Sequence, residues 1–108
     1  MSEMENIKIA VALRMSRAAL GISQLELAEI LGVSKITLAR VETLESPLRA
    51  DVYMKAISVL RELGVAVDVM TPNALMINVH QPALEKALAR LRDDSKRRVD
   101  RKNKLTQL

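Results

Sequence analysis

The side chains of this chain that could do chemistry are few, and they favour hydrogen bonding over catalysis. The 108 residues contain no cysteine and a single histidine, His80, which argues against disulfides, thiolate nucleophiles and a histidine-rich metal site. The sequence has no glycine-rich phosphate loop and no nucleophile with a plausible histidine partner. We therefore expect neither an enzymatic activity nor a bound cofactor or metal. The local sequence signals instead converge between residues 23 and 42.

This segment predicts two short helices joined by a tight turn. Ser23 and Glu26 form a capping box, in which the hydroxyl and the carboxylate satisfy free amides at a helix start. Gly32 tolerates the left-handed backbone of a sharp turn, and Ser34 can cap the next helix. The second helix turns its apolar side inward and leaves the following residues outside: Lys35, Ile36, Ala39 and Arg40.

The run from Arg17 to Glu42 resembles the helix-turn-helix of lambda-repressor and Cro-type regulators, also called XRE-type. The matching pattern is Arg17-x3-Gly21-Ile22-Ser23-Gln24-x2-Leu27-Ala28-x3-Gly32-Val33-Ser34-x3-Leu38-x3-Glu42. An ordinary helical hairpin is the alternative, but it would not require the capping box, the glycine turn and a small residue at the helix crossing together. The resemblance implies a DNA-binding protein.

The resemblance also implies roles for individual residues on DNA. Lysine and arginine can donate to guanine and isoleucine can contact a thymine methyl. The expected base-reading residues are Lys35, Ile36, Thr37 and Arg40. The expected phosphate-binding residues are Ser23, Gln24, Ser34 and Arg49. Arg17 and Glu42 match a structural ion pair that ties the first helix to the end of the recognition helix.

The predicted fold is mainly α: a lambda-repressor-like helical bundle with the helix-turn-helix, followed by a β-hairpin and a C-terminal helix. The first helix is expected from about Asn6 to Leu20, and a fourth from Asp51, as its cap, to Gly64. Residues 1–63 would form the DNA-binding domain, residues 64–81 the hairpin and residues 82–108 the C-terminal helix with a basic tail. In the commonest family pattern a glycine comes soon after the glutamate that matches Glu42, and this sequence lacks it.

Within residues 64–81, branched apolar side chains occupy every second position of two short runs, which predicts two strands joined by a turn. An isolated hairpin is marginally stable, so its apolar face needs a partner. We expect a second subunit to cover that face and to form the dimer interface, because a short helix-turn-helix needs two half-sites. The alternative is packing on the hairpin's own bundle, under Leu84 and Leu88. The interface residues would be Val65, Val67, Val69, Leu75, Ile77 and Val79.

The positive charge is concentrated at the C-terminal end. Up to Gln81 the chain has eight Lys or Arg against nine Asp or Glu, and from Pro82 onward it has nine against four. The basic run Lys96–Lys104 indicates either nucleic-acid binding or a solvated end. Before it, a narrow leucine stripe is expected to dock on the rest of the protein; its members are Leu84, Leu88 and Leu91.

Two functions from different classes fit these features. The first is a dimeric, sequence-specific repressor or autorepressor of a mobile-element, phage or plasmid operon, bound to a palindromic double-stranded operator. The second is an antitoxin that silences a toxin partner and autoregulates its operon. A purely structural module would not explain an outward-facing Lys35 and Arg40. No apolar run reaches the roughly twenty residues of a membrane span, so the expected location is the cytoplasm, at the bacterial nucleoid.

Overall fold

The computed structural model of the protein describes residues 2–93, within which five helices and one antiparallel hairpin are formed. The predicted mainly helical class is confirmed. The elements, in chain order, are α1 (Glu3–Leu20), α2 (Gln24–Leu31), α3 (Lys35–Glu42), α4 (Ala50–Glu62), β1 (Val65–Asp68), β2 (Met76–Val79) and α5 (Gln81–Leu91). The basic run Lys96–Lys104 lies outside the described residues.

The helix starts follow from serine caps. The Ser23 hydroxyl oxygen accepts a hydrogen bond from the Glu26 amide, and the Glu26 carboxylate accepts one from the Ser23 amide. The predicted capping box is therefore present. The same box forms between Ser2 and Glu5, and α1 therefore begins at Glu3 rather than at Asn6 as we expected. Two orphan amides are satisfied at each of these starts, which is why the chain is helical from its third residue.

The first core lies between α1, α2, α3 and α4. Leu27, Ala28 and Leu38 have no exposed surface, and the small Ala28 side chain allows α2 and α3 to cross closely. Gly32 adopts φ +72° at the turn between these helices, a conformation that L-residues with a side chain rarely accept. Local caps and one shared apolar core thus hold α3 in place.

The hairpin forms a second core with its own chain. β1 and β2 are antiparallel, with Val65 opposite Val79 and Val67 opposite Ile77. The side chain of Val65 has no exposed surface and Val67 keeps 9%. They pack in one apolar cluster whose other buried members are Ala12, Leu20, Leu60 and Ala83.

This packing corrects part of the expected dimer interface. Val65 and Val67 are buried against the protein's own helices, because only two residues separate α4 from β1 and the strand folds directly back onto the bundle. They are not available to a second subunit. Lys8 of α1 fixes the same arrangement from the other end, since its Nζ donates to the carbonyls of Val69 (3.1 Å) and Thr71 (2.6 Å).

The docking face of α5 also differs from the predicted one. Ala83 is fully buried, Ala87 is half-buried, and Arg90 donates to the Ala19 carbonyl at the end of α1. The start of the helix lies close against Gly64, where an added Cβ would come within 2.9 Å of the Ala83 nitrogen. The small side of α5 therefore packs inward, and the leucines remain outside at 55% (Leu84), 48% (Leu88) and 71% (Leu91) exposure.

The connection from α3 to α4 contains an unusual backbone conformation. Leu44, two residues after Glu42, has φ +64°, a left-handed conformation that residues with a side chain rarely adopt. Arg49, not Asp51, is the residue before α4, and no side chain caps that helix. Asp51 instead pairs with Arg49 at the surface. Among the described helices, none is both long and apolar enough to cross a membrane.

Candidate nucleic-acid interface

The outer face of α3 presents the side chains that the sequence assigned to base reading. Leu38 and Val41 are buried in the first core and fix the rotation of the helix. On the opposite side Ile36 is 65% exposed. Lys35, Thr37 and Arg40 are exposed around it. The structure therefore brings these four residues together on one accessible surface.

A cluster of polar groups holds the C-terminal end of α3. The Arg17 guanidinium contacts both carboxylate oxygens of Glu42, each at 2.8 Å, and the side chain of Glu42 has no exposed surface. Gln24 Nε2 donates to the same carboxylate at 2.9 Å. Arg14 Nε donates to the Glu42 backbone carbonyl at 3.0 Å. Side chains from α1 and α2 thus anchor the last residue of α3 through both its side chain and its backbone.

The electrostatics of this cluster favour the charged pair. Burial alone would raise the pKa of Glu42, but hydrogen bonds from Arg17 and Gln24, with the positive charges of Arg17 and Arg14, outweigh it and bring the pKa below its ordinary value. The hydrogen bond to Glu42 raises the pKa of Arg17. Glu42 is therefore ionised at neutral pH, and its desolvated charge is compensated by donors on two sides.

The residues assigned to phosphates divide into two groups. Ser23 lies before α2 and Ser34 before α3, each accepting a bond from an amide of its own first turn. Ser34 Oγ also donates to Thr37 Oγ1 at 2.9 Å, so these two hydroxyls act as a unit. Gln24 differs from expectation because its side-chain amide is used on Glu42. Its backbone remains at the start of α2, where helix amides favour an anion.

Arg49 borders a cleft beside the α3 start. The cleft has a volume of about 430 Å³ and is also lined by Ser34, Thr37 and Lys55. Arg49 pairs with Asp51 at 3.0 Å, with both side chains mostly in water. Lys55 was missed in the sequence because nothing in the α4 pattern shows that this turn of the helix lies next to Gly32. Lys55 is therefore a second cationic side chain, after Arg49, beside the start of α3.

Arg14 and Lys8 have roles that their positions in the sequence did not reveal. Both are on α1 and could have pointed at phosphates, yet Arg14 binds the end of α3 and Lys8 binds the hairpin turn. No cluster of three or more metal-binding side chains occurs in residues 2–93. What this surface offers is donors, cations and one apolar side chain on a rigidly held helix, which is suited to reading groups displayed in a DNA groove.

The comparison with known families agrees with this chemistry. Residues 13–65 match a family model described as Helix-turn-helix, which defines this part of the chain as a DNA-binding regulatory domain. The segment belongs to the XRE-type helix-turn-helix family, the domain of lambda-repressor and Cro-type regulators. No curated protein and no solved structure matches the chain.

Proposed function

We propose that the protein is a sequence-specific repressor or autorepressor that binds a palindromic operator as a homodimer at the nucleoid. The observation that carries this proposal is the exposed α3 face, on which Ile36 lies among Lys35, Thr37 and Arg40 while Glu42 anchors the helix end. A fixed helix with an outward apolar and cationic face is the usual form of a major-groove reader.

Each exposed side chain has a distinct task in this proposal. Lys35 and Arg40 donate to guanine O6 and N7, and each good contact discriminates by about 1–3 kcal/mol. Ile36 contacts a thymine methyl, which accounts for a large apolar residue left in water in the free protein. The hydroxyl of Thr37 is already bonded to Ser34, so Thr37 contributes less to base reading than its neighbours.

Phosphate contacts set the docking register without reading sequence. The free amides at the start of α2, next to Ser23 and Gln24, form the positive end of the helix dipole and would bind one phosphate. Arg49 and Lys55 supply cations at the other margin of α3, near Ser34. The first set lies near the C-terminal end of α3, where Gln24 contacts Glu42, and the second lies near its start, beside Ser34.

Dimerisation follows from the size of the reading surface. One α3 of eight residues reaches only a few base pairs, and affinity above genomic competitors generally needs two half-sites one helical turn apart. A dimer bound across two half-sites acts most simply by occupying a promoter. Repression is therefore the form of regulation that we propose.

Binding-site selection from random DNA tests the proposal directly. The full chain should enrich an inverted repeat. Arg40→Ala should relax the preference at one base pair per half-site, with a loss of roughly 5- to 100-fold on the selected site. Arg61→Ala is the matched control, because Arg61 is also an exposed arginine in the last turn of its helix. If Arg40→Ala bound the selected DNA and the random DNA just as the parent does, the assignment of Arg40 to base reading would be refuted.

A further inference from the structure

The strand β2 has an open edge. In an antiparallel pair, residues that exchange hydrogen bonds across the pair alternate with residues whose amide and carbonyl point outward. The His80 amide donates to the Gly64 carbonyl at 2.7 Å. In the same register the backbone groups of Asn78 face β1, whereas those of Ile77 and Val79 face away from it. No backbone group of another element in residues 2–93 pairs with Ile77 or Val79.

The edge of β1, in contrast, is covered by the protein's own helices. The Val69 carbonyl points away from β2 by the same alternation, and it accepts a hydrogen bond from Lys8 Nζ at 3.1 Å. Lysines at strand edges are among the features that prevent pairing with another chain. In the described part of the chain, α4 and α1 both pack along β1, and no helix packs along β2 in this way. A further strand could therefore be added at β2 and not at β1.

A groove of about 370 Å³ lies beside the open edge, between α1, β2 and α5. Val79 forms its wall on β2, and its other apolar lining residues are Ala18, Ala19, Leu84, Ala87 and Leu91. The charged residue of the lining is Arg90, whose Nη2 donates to the Ala19 carbonyl at 3.0 Å. Its Nε has no hydrogen-bond partner, and no carboxylate within residues 2–93 pairs with it. The groove therefore suits apolar side chains together with one acidic group.

We propose that an extended segment of a partner protein adds to the free edge of β2 as a third strand and places side chains in this groove. Outward amides and carbonyls two residues apart match the backbone of an extended peptide. Because side chains alternate along a strand, the segment would have an apolar residue at every second position, and a carboxylate close to Val79 would pair with Arg90. The inference goes beyond the proposed function and does not rest on it, since neither β2 nor the groove includes a residue of α2 or α3.

A second copy of the chain fits the same edge less well. Its own β2, Met76–Val79, has no acidic residue. Pairing of β2 with β2 about a two-fold axis would therefore leave Arg90 of both copies without a carboxylate. The strand β1 does end in an acidic residue, Asp68, but it is already paired and packed within its own chain. A segment of a different protein can supply both the apolar alternation and the acidic group.

Random peptides displayed on phage and selected on the full chain supply the probe for this surface. The selected sequences should have apolar residues at every second position and one Asp or Glu. In calorimetric titrations of the parent, N-methylation of the peptide amides that pair with β2 should weaken binding roughly tenfold for each lost hydrogen bond. Methylation of the intervening amides should change the affinity far less. Replacing the acidic residue of the peptide by its amide should also weaken binding, and that difference should disappear with Arg90→Gln.

One substitution in β2 tests the edge from the side of the protein. Ile77→Pro removes an outward amide that makes no bond to β1, a position at which an edge strand tolerates proline. It should weaken peptide binding roughly tenfold or more. Ile77→Ala is the matched control, because it also shortens the side chain but keeps the amide, and it should retain most of the affinity. Circular dichroism verifies the fold of both variants, and the methylation series on the parent provides the test if Ile77→Pro does not fold.

Several results would overturn the proposal. Selected peptides with apolar residues at three- and four-residue steps, or binding that ignores methylation, would exclude an added strand. Equal affinities of the acidic peptide and its amide would exclude the pairing with Arg90. Sedimentation distinguishes a second copy: a parent dimer that dissociates with Ile77→Pro but not with Ile77→Ala would show that β2 pairs with itself. Failure to select any peptide that binds the parent more tightly than a folded Ile77→Pro would also refute the proposal.

Discussion

Breaking the Arg17–Glu42 pair should lower the free energy of unfolding by different amounts, depending on which of the two residues is replaced. Arg17→Met leaves the Glu42 carboxylate, whose side chain is fully buried, with a single side-chain donor from Gln24. Glu42→Gln leaves a guanidinium that water still reaches, since the Arg17 side chain is 22% exposed. Removing one partner of a fully buried pair costs about 3–5 kcal/mol. We therefore expect losses in the free energy of unfolding of about 3 kcal/mol for Arg17→Met and about 1–2 kcal/mol for Glu42→Gln.

Urea unfolding followed by circular dichroism measures both losses, and pH adds a second test. In the parent, the depressed pKa of Glu42 contributes stability that is present above its ordinary pKa of 4.5 and is lost as the pH falls through the lower folded value. In Arg17→Met, burial without the guanidinium raises the pKa of Glu42, so protonation relieves the penalty as the pH falls. The difference between parent and variant should be largest near pH 7 and shrink toward pH 4.

The double variant Arg17→Met with Glu42→Gln completes the cycle. It removes both charges together, so its loss should be smaller than the sum of the two single losses. Additive losses would show that the two side chains act independently. A Glu42→Gln loss equal to that of Arg17→Met, or a gap that stays constant down to pH 4, would refute the reasoning from burial.

Three further substitutions test the packing described above, each by urea unfolding. Lys8→Met should lower the free energy of unfolding by about 1–2 kcal/mol and speed proteolysis of the hairpin turn, because the carbonyls of Val69 and Thr71 lose their donor; unchanged proteolysis would contradict this. Leu44→Gly should be neutral within about 0.5 kcal/mol because relief of the left-handed backbone offsets the lost contacts, whereas Leu44→Val should destabilise. Val65→Ala should cost about 2 kcal/mol at every protein concentration; a cost that vanishes on dilution would return this valine to an intersubunit contact.

The helix-turn-helix could be predicted from sequence because its signals are local. Ser23 with Glu26, and Gly32 at the turn, act within a few residues of one another, and the same physics starts α1 at Glu3 through Ser2. The start expected at Asn6 did not use this second capping box. Such signals fix where a helix begins; they say little about what its sides contact.

The contacts that could not be predicted all depend on how closely two elements approach. Apolar periodicity in α5 indicated a leucine stripe, but the side that docks is the one with the smaller residues, where Ala83 is buried close to Gly64. Alternation in β1 showed that Val65 would be buried but not by which chain. The use of Gln24 on Glu42 likewise requires α2 and α3 to be brought together first. Sequence periodicity describes a single helix or strand, whereas each of these contacts depends on how two such elements pack together.

The corrected packing gives α1 two separate roles in the proposed dimer. Through Arg14 and Arg17 it anchors the end of α3, and through Ala18 and Ala19 it lines the groove beside the α5 leucines. α1 is one uninterrupted helix of 18 residues, which gives a stiff body about 27 Å long at 1.5 Å per residue. α3 and α5 are therefore joined by a rigid element rather than by a flexible loop. In the proposed dimer, a partner that packs on this rigid body would keep the two reading helices at one fixed separation, which a palindrome with fixed half-site spacing requires.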